Sequence, residues 1–268
     1  MRRRKTGDPK PETRNSKQSL VITIDGPAGV GKSTVAKRLA QRLGLTYLDT
    51  GATYRALAYA AVTRHLNPIT DSRRLGRLAR RLPLRLRPAP HGDVRVLLDR
   101  LDITTQIRTE EVSEAAAQVS QYPEVRAAMV ALQRTLANPR LARLASRPSA
   151  AVRGSDRHSQ PSRRDGVIVE GRDTGSVVFP HATHKFFLDA EPTIRARRRQ
   201  AELFQLYGTR SPLTQIREQL HFRDSLDRTR RVGPLITPRG AITIDTSHRS
   251  VAQVVRLLLR HISQHHHE

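Results

Sequence analysis

Residues 20–34 read LVITIDGPAGVGKST. Leu20 to Asp25 is a short β-branched run stopped by Gly26 and Pro27, which reads as a buried strand. Gly26-Pro27-Ala28-Gly29-Val30-Gly31-Lys32-Ser33 then fits G-x-x-x-x-G-K-[ST], and Thr34 continues into a helix. From Lys32 to Leu43 the apolar Val35, Leu39 and Leu43 share one face, opposite Lys37, Arg38, Gln41 and Arg42. Gly44 supplies the stop.

The chemistry of such a loop demands these residue types. Backbone N–H groups must turn inward around a phosphate, and glycine permits those angles. The helix N-terminus adds the positive end of its dipole at the same point. Lys32 sets a cation against the β- and γ-phosphates, and Ser33 offers a hydroxyl to Mg2+. The expected ligand is ATP with Mg2+, and the loop leaves the phosphate acceptor open.

Outward from the loop, Thr46–Asp49 is a second strand candidate and Ala52–His65 a second helix. Leu75, Leu78 and Leu82 mark a short Arg-rich helix. Leu84 and Leu86 alternate with Arg85 and Arg87 before the turn at His91-Gly92-Asp93. Residues 70–108 therefore read as a helix-plus-hairpin insertion. Helices are expected over 109–119 and 123–136, strands over 167–170 and 185–189, and helices over 193–207 and 213–227. A strand at 241–245 and a helix capped by Ser250 close the chain. Strands alternating with helices predict an α/β fold with a parallel sheet covered on both faces.

The 268 residues suit one domain, here 20–262, with short tails at 1–19 and 263–268. There is no cysteine, so disulfides and thiolate metal sites are excluded. No apolar run approaches the roughly 20 residues of a membrane helix. The N-terminal MRRRKTGDPKPETRNSKQS is charged, lacks the apolar stretch of a secretory signal and reads as a disordered basic tail. A cytoplasmic location is the expectation.

The formal charge is +24, and residues 1–20 and 138–165 each hold seven basic and two acidic residues. These two low-complexity stretches carry much of the excess. The second reads as a flexible Arg-rich insertion. A basic balance raises nucleic acid as a partner. With five Phe, five Tyr and no Trp, however, stacking platforms for single strands are scarce.

Four further segments carry a resemblance. They are Leu48-Asp-Thr-Gly-Ala-Thr-Tyr-Arg55; Ile107–Val119 with Pro123-Glu-Val-Arg126; Glu170-Gly-Arg-Asp-Thr-Gly-Ser-Val-Val-Phe-Pro180; and Arg223-Asp-Ser-Leu-Asp-Arg-Thr-Arg230 with Pro234-Leu235. In order and spacing they resemble the bacterial cytidylate kinases, P-loop nucleoside monophosphate kinases, over roughly residues 20–260. The resemblance implies transfer of a phosphoryl group from ATP to CMP or dCMP by a monomer with a mobile lid at 195–212.

It also implies roles. Thr50 and Tyr54 would border the acceptor nucleotide. Arg55, Arg172 and Arg230 would grip its phosphate and serve in transfer beside Lys32, because planar guanidinium groups suit phosphate oxygens. Asp173 would accept from the cytosine 4-amino group, where uracil presents an oxygen instead. Arg126 would serve the base or the phosphate, and Arg223 and Asp227 the ribose. Arg195 and Arg199 would reach the ATP phosphates from the lid. Glu170 would hold Mg2+ through water. Ala117 stands where some family members carry Ser. Two other readings stay open: a kinase for UMP, dTMP or shikimate, and a basic nucleic-acid-binding protein.

Overall fold

The computed structural model describes residues 20–89, 93–138, 166–208 and 210–264. The N-terminal tail, nearly all of the 138–165 insertion and the closing residues 265–268 lie outside them. In chain order the elements are β1 (Leu20–Asp25), α1 (Lys32–Leu43), β2 (Thr46–Asp49), α2 (Thr50–Val62), α3 (Ser72–Arg80), β3 (Leu84–Pro88), β4 (Val94–Leu98) and β5 (Leu101–Asp102). There follow α4 (Glu110–Val119), α5 (Pro123–Leu136), β6 (Gly166–Glu170), β7 (His184–Asp189), α6 (Pro192–Tyr207), α7 (Leu213–Thr229), β8 (Ile242–Asp245) and α8 (Val251–Gln264).

β2, β6, β1, β7 and β8, in that order, form one sheet, and every neighbouring pair is parallel. The apolar runs explain why it is buried. Ile22, Ile24, Ile168, Phe186 and Leu188 pack against Val35, Ala36 and Leu39 of α1 and Val254, Val255 and Leu258 of α8. The other face carries Leu48, Val167 and Val169 against Leu136, Ala137 and Phe179. This is the expected α/β arrangement with both faces covered.

A second core joins α2, α3, α4 and α5 through Leu57, Leu75, Ile107, Val119, Val125 and Met129. β3 and β4 pair as the expected hairpin, and β5 adds a third antiparallel strand that its two residues were too short to announce. α6 and α7 form a third unit that packs Leu203, Ile216 and Leu220 against Ala28 of the phosphate loop.

The clearest differences from the sequence reading lie in α2 and past β6. α2 begins at Thr50 rather than Ala52, because the Asp49 side chain accepts from Ala52 N at 3.0 Å and caps the helix. It ends at Val62, and His65 takes a left-handed φ of 52°. Past β6, Thr174–Val178 winds into a single π-type turn that the sequence reading did not name. Among the described residues no helix is long and apolar enough to cross a membrane.

Candidate active site

All five parallel strands end on an acid: Asp25, Asp49, Glu170, Asp189 and Asp245. Ligands in open parallel sheets bind beyond the carboxyl ends of the strands. A cleft of about 650 Å³ opens there, lined by Ala28–Val35, Asp49–Gly51, Tyr54, Arg55, Glu170–Asp173, Arg223, Asp227 and Arg230.

The loop after β1 forms its floor. Gly26 has a φ of 145°, and a Cβ there would lie 2.0 Å from the Leu188 carbonyl oxygen, so only glycine fits. Gly26 and Pro27 lie behind the cleft wall, and the Lys32 ammonium donates to Pro27 O at 2.6 Å. Burial and the cations Arg172 and Arg223 push its pKa down to about 7, while Glu170 and Asp224 pull the other way. A bound anion would relieve that repulsion between Lys32 and the two arginines.

On the facing wall, arginines and carboxylates alternate. Arg126 pairs with Asp173, both buried. Arg230 bridges Asp173, 3.3 Å away, and Asp227, 3.1 Å away. Arg172 Nε donates to the other Asp227 oxygen at 2.9 Å. Gly233 permits this packing, for a Cβ on it would meet Asp173 Oδ2 at 2.3 Å. Arg55 pairs with Asp49 at 2.7 Å, and Thr50 Oγ1 donates to Glu170 O at 2.7 Å.

Several donors on this wall have no partner among the described residues. They include Tyr54 Oη, Arg55 Nε, Arg126 Nη1 and Nε, and Arg230 Nη2 as a hydrogen-bond donor. Arg223 lines the cleft and makes no hydrogen bond or ion pair with a described residue. Burial first, then repulsion from Arg172, lowers its pKa to about 10. Unpaired buried donors are costly. An acceptor-rich anion in the cleft would satisfy those whose residues line it, such as Arg55 and Arg230.

The structure thus brings Ala28–Thr34, Thr50, Tyr54, Arg55, Glu170, Arg172, Asp173, Arg199, Arg223, Asp227 and Arg230 to one cleft. Arg126 and Arg195 are placed differently from expectation. Arg126 sits behind Asp173, under 2% exposed and outside the cleft lining, with its guanidinium 5.6 Å from the Tyr54 ring centre. Arg195 is turned beneath the loop: it pairs with buried Asp224 and donates to Ala28 O at 3.2 Å, because that carboxylate lies within reach where water is excluded. Arg223 and Asp227 share the cleft face of α7 but do not pair, since both Asp227 oxygens serve Arg172 and Arg230.

Sequence reading missed Asp224, which accepts from Ala28 N at 3.2 Å, and the segment Thr246, Arg249, Ser250, Val251 and Val254 along the cleft rim. The position of that segment just past β8, at the carboxyl edge of the sheet, was the available signal.

The oxygen donors suit a hard divalent cation. Glu170 is buried, accepts from Tyr47 Oη at 2.8 Å and pairs in register with Asp49 across β6 and β2. Burial and the Asp49 charge push its pKa up, and Lys32 and the Ser33 hydroxyl pull it down. One or two carboxylates with a hydroxyl match what Mg2+ takes from a protein when phosphates and water complete its shell. Among the described residues no three His, Cys, Asp or Glu cluster into a dedicated metal cage.

A phosphate loop at the end of a central parallel strand, facing a wall of guanidinium groups, defines a P-loop kinase. The family model for cytidylate kinase matches residues 22–144 and 140–264, two stretches that meet inside the Arg-rich insertion. The cytidylate kinase of Symbiobacterium thermophilum is 40% identical over 91% of this chain and 96% of its own. That of Geobacillus kaustophilus is 39% identical over 92% and 98%. The chain belongs to the cytidylate kinase family. A shikimate kinase from Bacteroides thetaiotaomicron aligns over 91% of the chain and 98% of its own at 14% identity and a TM-score of 0.40, a superposition too loose to bear on function.

Proposed function

We infer that the chain moves the γ-phosphoryl group of ATP to the phosphate of CMP or dCMP. The observation that carries this reading is the single cleft. Lys32 and the loop amides occupy one side, and Asp173, Arg230, Asp227 and Arg172 stand on the other, with Arg126 behind Asp173.

Phosphoryl transfer needs positioning and charge neutralisation more than covalent chemistry. The loop amides and Lys32 bind the donor phosphates, and Arg199 approaches from α6. Ser33 and Glu170 would hold Mg2+, which supplies charge neutralisation on the phosphate oxygens when bound. Arg55, Arg172 and Arg230 receive the acceptor phosphate. Its oxygen is already anionic near neutral pH, so no general base is required.

Asp173 selects the base. Arg126 and Arg230 hold its two oxygens, and each carboxylate oxygen keeps a further lone pair for a 4-amino group. Uracil would set an oxygen against a fixed carboxylate, which is repulsive.

The test is product analysis with Mg-ATP and CMP. ADP and CDP are expected in equal amounts, and Lys32→Ala is expected to abolish both. ADP without CDP would contradict the reading.

A further inference from the structure

Asp25 is the last residue of β1 and directly precedes the phosphate loop, yet it does not line the cleft. Its side chain is fully buried, and no cation pairs with it among the described residues. A buried carboxylate without a counter-charge is costly unless several donors hold it. Here Oδ1 accepts from Thr174 N and Thr174 Oγ1, each at 2.8 Å, and Oδ2 accepts from Gly175 N at 2.7 Å. Burial still pushes its pKa up to about 6, against the pull of these bonds and with a push from the Asp173 charge.

The three donors open the π-type turn Thr174–Val178, whose first N–H groups have no partner within the turn. At the other end of the same stretch, Gly171 N donates to Ile24 O at 3.1 Å. The backbone is thus clamped at 171 by β1 and at 174–175 by Asp25. The two residues between the clamps are Arg172 and Asp173. Packing tightens the second clamp: a Cβ on Gly175 would meet Thr23 Oγ1 at 2.8 Å and Asp25 Oδ2 at 3.3 Å.

We propose that Asp25 is a positioning residue for the acceptor nucleotide. Through Thr174 and Gly175 it fixes the turn that aims Arg172 and Asp173 into the cleft. The inference rests on the reading of Arg172 and Asp173 as acceptor-binding groups. An amide could not replace the carboxylate. Asparagine has one accepting oxygen, and its NH2 would face the Gly175 or Thr174 N–H, donor against donor.

The experiment measures CMP binding by titration calorimetry without ATP, and KM for CMP and for ATP, in Asp25→Asn, Thr174→Val and Arg172→Ala. Thr174→Val removes only the hydroxyl bond and covers the case in which Asp25→Asn does not fold. We expect CMP affinity to fall at least tenfold in Asp25→Asn and about threefold in Thr174→Val, with KM for ATP within twofold. Lower thermal stability with unchanged CMP affinity would reduce Asp25 to a structural role and overturn the proposal. An equal rise in both KM values would also overturn it, because Asp25 would then act on the donor loop. Should Asp25→Asn fail to fold, unchanged CMP affinity in Thr174→Val overturns it alone. If Arg172→Ala itself leaves CMP affinity intact, the site reading fails, and this inference goes with it. If only Arg172→Ala weakens CMP, the inference fails and the site reading stands.

Discussion

Arg172 Nε donates to Asp227 Oδ2 across 2.9 Å and so ties the turn after β6 to the cleft face of α7. The other Asp227 oxygen takes Arg230 Nη1 at 3.1 Å. One carboxylate therefore orders two of the arginines proposed to meet the acceptor, and the flanking cations hold its pKa below the usual carboxylate range despite burial.

Asp227→Asn should raise KM for CMP at least tenfold and leave KM for ATP nearly unchanged. Removing one partner of a buried charged hydrogen bond costs about 1.5–3 kcal/mol. Steady-state kinetics with each substrate varied in turn would read the split. A loss of kcat with KM for CMP unchanged would contradict it.

Lys32 should make binding of ATP sensitive to pH. Its ammonium is held near a pKa of about 7 by burial and by Arg172 and Arg223. A bound triphosphate favours the charged form and raises that pKa. Above pH 7 the free site is mostly deprotonated at Lys32, so binding takes up a proton and affinity falls as pH rises. Calorimetry at pH 8 in buffers of different ionisation enthalpy should show this uptake, which Lys32→Met should abolish. Equal apparent enthalpies in all buffers would oppose the prediction.

The Arg195–Asp224 pair anchors α6 and α7 to both the N–H and the carbonyl of Ala28. Asp224→Ala leaves a buried guanidinium uncompensated, at a cost of about 3–5 kcal/mol. The melting temperature should drop by roughly 6–20 °C. The double change Arg195→Met with Asp224→Leu should recover much of the loss. A double variant no more stable than Asp224→Ala would contradict this account.

Ala117 lies on the cleft wall, beside Ser120 and one helical turn from Gln121, both of which donate to its carbonyl. Ala117→Ser adds a hydroxyl at the acceptor side. KM for CMP should fall about threefold to tenfold, as one net hydrogen bond of roughly 1 kcal/mol would give. An unchanged or higher KM would place the base elsewhere.

The parallel sheet and the phosphate loop were legible because strand and loop signals are local. A β-branched run, three glycines and an amphipathic helix each announce themselves within a dozen residues. The arginines proposed for the acceptor were singled out only through the family motifs, since nothing local separates Arg172 from the other arginines. What escaped was pairing at long range. Asp224 and Arg195 meet because two helices pack over Ala28, and Asp25 meets Thr174 across 149 residues of chain. Neither partnership leaves a spacing that a sequence window could register. The Arg126–Asp173 pair explains why Arg126 retreats behind the wall it was expected to line.

The base choice at Asp173 is the claim most directly open to measurement. A panel of CMP, dCMP, UMP and AMP with Mg-ATP should give kcat/KM at least a hundredfold higher for CMP than for UMP, about 2.7 kcal/mol of discrimination. Asp173→Asn should collapse that ratio, because an amide can turn its NH2 toward the uracil oxygen. A native ratio near one, or one that survives Asp173→Asn, would contradict the account.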